Sequence, residues 1–233
     1  MIKWFVKWVF RLVFLALALV IVLLLSLNSV LRILIEHNIR AQTGMDAEIG
    51  RVEVGWFAPT LEIRDLKIYN PPAFGGTPFL DIPEIHIEYD RFALLNKNLH
   101  LTLVRLNLQE LDVVRSRKGD INVFAVGSAP HMNAGVSGPS FKKETGYDFK
   151  GIDALNVSFN KAKFIDLQNR HNDRDQTIGL QNCVVPDVKS SRDLAGLAVF
   201  IDLRSNHFFD PLVSGQIKST PLKSVLNIMG GAI

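Results

Sequence analysis

The chain has 233 residues, 48% of them hydrophobic, with 26 Lys and Arg against 23 Asp and Glu and a formal charge of +3. Of the first 35 residues, 28 are hydrophobic, and four bases (Lys3, Lys7, Arg11 and Arg32) stand there without an acid, which leaves 22 bases against 23 acids in the rest. The remainder is near-neutral globular material, which excludes a basic nucleic-acid-binding domain, and the single cysteine, Cys183, excludes an internal disulfide framework or a zinc site built on paired cysteines.

Residues 1–11 form a basic flank. From Leu12 to Leu31 the chain reads LVFLALALVIVLLLSLNSVL, uncharged and long enough to cross about 30 Å of hydrocarbon as a helix. Residues 12–31 are therefore expected to be a transmembrane signal anchor. Trp4 and Trp8, with Lys3, Lys7 and Arg11, are the expected anchoring residues of a cytoplasmic interface, which puts the C-terminal region on the other side of the bilayer. A cleaved signal peptide is the competing reading, but the apolar run is longer than a signal core and SLNS at residues 26–29 lacks a small-x-small site. Residues 32–44 continue as a helical stem, because Val30, Ile33, Leu34, His37 and Ala41 recur at three- and four-residue spacing until Gly44 offers a stop. The stem either packs on its own domain or regulates at the membrane surface, and the lack of a basic face favours packing.

Beyond Gly44 the apolar period becomes two, the mark of strands with one buried face. Residues 45–127 form a first β unit: Val52, Val54 and Trp56; Leu61 and Ile63; Leu66 and Ile68; Leu80 and Ile82; Ile85, Ile87 and Tyr89; then Leu99, Leu101, Leu103, Leu106, Leu108, Leu111 and Val113. Parity slips repeatedly, and each slip requires a bulge, a corner or a short turn if one face is to stay buried. A strongly bent antiparallel sheet is expected, with Pro83 at one slip. Asn70-Pro71-Pro72 with Gly75-Gly76, and Lys118-Gly119-Asp120, read as turns. Residues 128–150 read as a linker and 151–206 as a second β unit, through Leu155, Val157, Phe159, Ala162, Phe164, Ile178, Leu180 and a last strand at Leu197, Val199, Ile201 and Leu203. Residues 207–233 hold a short helix from Pro221. The fold class is thus mainly β, with nine or ten strands between an N-terminal transmembrane helix and a short C-terminal one.

Chemistry is sparse. The histidines His37, His86, His100, His131, His171 and His207 have no partner at metal-ligand spacing, and Asn169 to Asp175 reads as a solvated hairpin tip that lacks the glycine and distal glutamate of a calcium loop. No nucleophile or phosphate-binding motif occurs, and Cys183 reads as a buried thiol. A non-enzymatic protein without a cofactor or metal is expected. The notable feature is aliphatic surface on one sheet face: Leu99, Leu101, Leu103, Leu106, Leu108, Leu111 and Val113, with Ile85, Ile87, Phe159 and Phe164. That face is either a self-filled core or a surface that holds lipid or a partner.

This order of features resembles the N-terminal part of the AsmA-like family of bacterial envelope proteins, over roughly residues 1–125. The resemblance rests on an anchor and stem ending at Thr43-Gly44 and on IGRVEVGWFAPTLEIRDLKIYNPPAF, with Ile49, Val52, Val54, Phe57, Pro59 and Asn70-Pro71-Pro72. A strand through Ile85 and Ile87 before Leu94-Leu95, a leucine-rich hairpin, and the closing segment Arg115 to Asn122 complete it. Where family members commonly show a glycine after the paired leucines, this chain has Asn96-Lys97-Asn98, and many members are several times longer. The resemblance implies a taco-like β-groove whose apolar inner face shields acyl chains. The function expected is that of an inner-membrane-anchored periplasmic protein of outer-membrane biogenesis, whose partners are the bilayer and phospholipid. The alternative is a structural subunit that pairs through exposed β edges, with itself or within a larger envelope complex.

Overall fold

The computed structural model describes residues 2–55, 57–123, 142, 145–205 and 208; in the N-terminal helix it describes the side chains at 11, 12, 14, 15, 18 and 27–43. Helix α1, Ile2–Thr43, runs for 42 residues, about 63 Å at ~1.5 Å per residue. It stops where the sequence offers a stop: Gly44 is left-handed at φ 70° and returns its N–H to Arg40 O at 2.9 Å. Taken over the described residues, no helix is long and apolar enough to cross a membrane, but most side chains between Leu12 and Leu31 lie outside those described.

Six strands follow, β1 (Asp46–Val54), β2 (Thr60–Tyr69), β3 (Pro78–Tyr89), β4 (Asn98–Arg115), β5 (Asp148–Asp166) and β6 (Arg174–Val188), with the short helix α2 (Arg91–Leu95) between β3 and β4. They form one open sheet in the order β1-β2-β3-β4-β5-β6. The expected antiparallel sheet is in fact mixed, because β4 and β5 pair in parallel from Asn98↔Asp148 to Arg115↔Asp166. A parallel pair needs a long crossover, and the segment read as a linker connects the far end of β4 back to the start of β5.

The expected nine or ten strands reduce to six because the parity slips fall inside continuous strands. Ile49, Leu66 and Ile82 lie in one register row, and Val52, Ile63 and Ile85 in another. Each strand places two residues between the rows: Gly50 and Arg51, Arg64 and Asp65, Pro83 and Glu84. Both rows nevertheless belong to one buried cluster. The slips of neighbouring strands coincide, so the sheet creases as a unit, and Asp65 takes a left-handed φ of 54° there. In β4 and β5 a slip at Leu108/Leu111 aligns with Phe159/Ala162, displaced by two residues from that of β3, because Ile85 pairs with Leu106 and Leu80 with Leu111. A second crease aligns Leu101/Val104, Ile152/Leu155 and Val188/Val185, with Asp187 left-handed at 52°.

Two covers sit on the apolar face. Leu31, Ile35 and Ile39 of α1 pack on the cluster of Ile49, Val52, Ile63, Leu66 and Ile82. Glu36 adds polar fixings, accepting from Arg32 Nε at 3.0 Å and Ile49 N at 2.9 Å. The stem therefore packs on its own sheet through a face the sequence did not indicate, while the expected stripe of Val30, Ile33, Leu34, His37 and Ala41 is exposed. The second cover is helix α3, Ala195–Arg204, where a strand through Leu197 to Leu203 was expected. Leu197 and Ile201, one helical turn apart, pack on the core with Phe208. The discriminating signal was Ser190 with Asp193, whose carboxylate accepts from Lys189 N, Ser190 N and the Ser190 hydroxyl and initiates the turn that leads into α3. The helix predicted from Pro221 lies outside the described residues.

Candidate functional site

The register brings apolar residues of all six strands into complete rows. One is Val52–Ile63–Ile85–Leu106–Val157–Cys183, and the next is Val54–Leu61–Ile87–Val104–Leu155–Val185. The opposite face carries a charged row, Glu48–Lys67–Asp81–Glu110–Lys161. The sheet is thus sided as period-two alternation requires.

The eleven apolar candidates divide. Val113, Phe159 and Phe164 are 2%, 4% and 7% exposed and belong to the core under α3. Leu111 packs against that core, Ile85 and Leu106 pack against the core under α1, and Leu108 touches both. Leu99, Leu101, Leu103 and Ile87 are half-buried and belong to neither cluster. Leu103 lies on the other side of the sheet from Leu101: it pairs with Glu88 and Ala154, while its neighbour Val104 pairs with Ile87 and Leu155. Alternation places the slip between Leu101 and Val104, so the odd run from Leu99 does not extend to Leu103 on one face. Sequence reasoning missed Val104 and Val185; the signal that could have found them is the apolar-x-x-apolar spacing of Leu101/Val104, Ile152/Leu155 and Val185/Val188.

The apolar face therefore has a filled half, toward Ile49, Leu66, Val113 and Phe164, and an open half, where Val54, Ile87, Val104 and Val185 are each partly accessible. The open half lies at the end of the sheet formed by the β1–β2 turn, α2 and the start of β5. There Phe57 is 97%, Phe92 73%, Leu95 79% and Tyr147 37% exposed. Arg91 Nη2 donates to Phe57 O at 2.6 Å, joining the β1–β2 turn to α2. Helix α2 is started by Asp90, which accepts from Phe92 N at 2.8 Å and Ala93 N at 3.1 Å; these backbone donors hold its carboxyl below the usual range. It ends at Leu95 with Asn96 as its cap, and the chain then turns through Lys97, left-handed at φ 57°.

The polar face has a hollow of about 100 Å³ beside Lys67, Tyr69, Asp81, Glu110 and Asp112. Asp112 is 5% exposed, and burial, reinforced by the charge of Glu110, pushes its carboxyl up to about 6 against the opposing pull of Lys163. Lys163 Nζ itself bonds Glu110 Oε1 at 2.6 Å. No group of three His, Cys, Asp or Glu able to hold a metal occurs among the described residues. His86 pairs with Glu88 at 3.2 Å and His100 with Asp153 at 2.8 Å. Residues Asn169 to Asp175 are exposed, as a hairpin tip should be, and Cys183 is half-buried against the core. Of the expected anchoring residues, Arg11 is exposed, and the side chains of Lys3, Trp4, Lys7 and Trp8 lie outside those described.

Comparison with protein-family models, with curated proteins and with solved structures finds no match.

Proposed function

We propose that this chain is a non-enzymatic protein of the bacterial inner membrane, of the kind the AsmA-like family represents. Residues 12–31 anchor it, and its periplasmic β-sheet shields phospholipid acyl chains on its open apolar rows during envelope biogenesis. The observation that carries the reading is the division of the apolar face: the row from Val54 to Val185 is aliphatic in every strand and half-buried, and although Leu61 and Leu155 pack on the two cores, Val54, Ile87, Val104 and Val185 belong to neither. A row of half-covered aliphatic side chains suits a ligand that is itself aliphatic and needs no polar partner. The anchor is supported by the uncharged run from Leu12 to Leu31 and by the exposure of Leu12, Phe14 and Leu15 at 58%, 68% and 67%. Six strands at ~4.8 Å spacing make a sheet about 24 Å wide, enough to shelter acyl chains and too narrow to join two membranes.

The alternative, assembly through β edges, has less support. Glu36 occupies the Ile49 N–H of edge strand β1, and Arg204 occupies the Ile178 and Gly179 carbonyls of edge strand β6. Left-handed residues at Gly179, Asn182 and Asp187 interrupt β6 further, a device that blunts edges against pairing.

A photo-crosslinker at Val104 in cells should capture phospholipid, and one at Lys67 on the charged face should not. Capture of protein alone from Val104 would remove acyl-chain shielding. A reporter fused after Ile233 should be active only in the periplasm, and cytoplasmic activity would overturn the localisation.

A further inference from the structure

We infer that α1 pairs in parallel with α1 of a second copy of this chain, along an apolar seam that begins in the anchor and continues through the stem. The inference goes beyond the lipid reading and rests on it only for the anchor, which holds both copies in one bilayer in the same direction.

The stem is apolar on two sides. Leu31, Ile35 and Ile39 are taken by the chain's own sheet. Roughly a third of a turn away, at ~100° per residue, Val30, Ile33 and Leu34 are 49%, 64% and 56% exposed, and His37 and Ala41 are exposed beyond them. Polar residues border this stripe, Arg32, Glu36 and Arg40 on one side and Asn38 and Gln42 on the other. Arg32 pairs with Glu36 and Arg40 with Asp46, and such charges keep the turns from Arg32 onward out of hydrocarbon. Acyl chains therefore do not cover Ile33 and Leu34, and apolar surface left in water favours pairing.

The spacing identifies the partner. Leu27, Val30, Leu34, His37 and Ala41 alternate steps of three and four, the period with which two helices keep one seam facing each other. The same steps run back along the 42 residues of α1 through Leu23, Val20, Ala16, Val13, Val9 and Val6 to Ile2. Within the uncharged run any spacing is apolar, so the flanks carry the information, and there Ile2, Val6 and Val9 keep the period among Lys3, Lys7 and Arg11. Of the 13 polar or charged residues between Ile2 and Thr43, only His37 falls on the stripe, and a lone polar residue in a seam sets register at a cost in stability.

Copies anchored in one direction present this stripe at one height, so a second copy matches it without offset, as a two-fold pair requires. The size agrees as well. At ~60–100 Å² of apolar surface per aliphatic side chain, the 12 positions of the stripe offer on the order of 800 Å² per copy, that of a standard interface, and the stem alone about a third of it. The anchor has to take part, through close packing rather than exclusion of water.

The test uses the full chain carrying Cys183→Ser, in membranes of cells that make two differently tagged copies. Single cysteines replace Val30, Leu34 and Ala41 on the seam, and Ser29 and Gln42 away from it. All five native side chains are exposed, so the fold is not at risk. Oxidation should join one tag to the other at least about five-fold more at the seam positions, because a disulfide needs Cα atoms within ~7 Å. Equal yields around the helix, or a product that contains another protein instead of the second tag, would overturn the pair. In native mass spectrometry from detergent, Leu34→Arg should lose the dimer and His37→Leu should strengthen it; a dimer indifferent to both would overturn the seam. Alkaline carbonate reads the anchor separately. Unjoined chain that stays in the membrane overturns the pair and leaves the anchor standing, whereas chain that washes off removes the anchor and the parallel pair with it.

Discussion

Asn122 donates from Nδ2 to Asn70 Oδ1 at 2.8 Å across 52 residues of sequence, with both side chains buried. The bond joins the Asn70-Pro71-Pro72 turn to the segment that closes β4. Asn122 also donates to Asp112 O at 2.8 Å and accepts from Val114 N at 2.9 Å and Val123 N at 2.8 Å. Asn70 in turn reaches Pro78 O at 3.3 Å. One fully buried amide thereby satisfies backbone groups where β4 leaves the sheet. Asn122→Ala should lower stability by about 2–4 kcal/mol, since a buried group left without its partner costs ~1–3 kcal/mol. Chemical denaturation in detergent, against Gln168→Ala at an exposed position, is the check. Equal midpoints for the two variants would mean the hub contributes nothing.

Lys97 holds a backbone conformation that suits glycine better. Its φ of 57° turns the chain after α2, with its N–H on Leu94 O at 3.0 Å. A side chain in the left-handed region costs ~1–2 kcal/mol per residue, partly offset by the entropy that glycine gains on unfolding. Lys97→Gly should therefore raise stability by up to ~1 kcal/mol and Lys97→Val should lower it; the same denaturation curves read both. A drop for the glycine variant would rule out strain at this turn.

Asp112 makes stability depend on pH. Its folded carboxyl, pushed to about 6 by burial and by Glu110, lies above the unfolded value of ~3.9, so the folded state binds the extra proton between these values. The sign follows: stability is lost as pH rises from about 4 to about 6 and stays lost above. Asp112→Asn should remove this slope and be more stable than the native chain at pH 7.5 by up to ~3 kcal/mol. Denaturation midpoints at pH 4.5 to 7.5 decide it; identical slopes for both proteins would contradict the assignment to Asp112.

The two halves of the apolar face should separate in mutagenesis. Phe159, 4% exposed in the core, should cost about 3–4 kcal/mol as Phe159→Ala. Ile87, half-buried and outside both clusters, should cost ~1 kcal/mol or less as Ile87→Ala. For phospholipid recovered by native mass spectrometry the order should invert, with Ile87→Asp losing bound lipid while remaining folded. Unchanged lipid in Ile87→Asp would place the ligand elsewhere.

Much of this architecture is legible in local sequence. The 28 hydrophobic residues among the first 35 separate a helix from a near-neutral domain, Gly44 marks the end of α1, and alternation marks the strands because side chains must take opposite faces. The need for creases was also legible, since Ile82/Ile85 and Leu108/Leu111 cannot keep one face without them. Helix α3 was not legible from periodicity, because Leu197, Val199, Ile201 and Leu203 satisfy a period of two as well as helical packing through Leu197 and Ile201; only the Ser190–Asp193 cap marks it.

Which residues are apolar, and at what period, is written within a few neighbours along the chain. Which of them share a face, and which are covered, is set only when strands and helices pack together. Parallel pairing of β4 with β5, the coincidence of slips in neighbouring strands, and the choice of Leu31, Ile35 and Ile39 over the adjoining helical stripe all depend on contacts between distant segments. Burial is a property of those contacts, so Val113 and Ile87, alike in the sequence as aliphatic residues of alternating strands, become a core residue and an open surface.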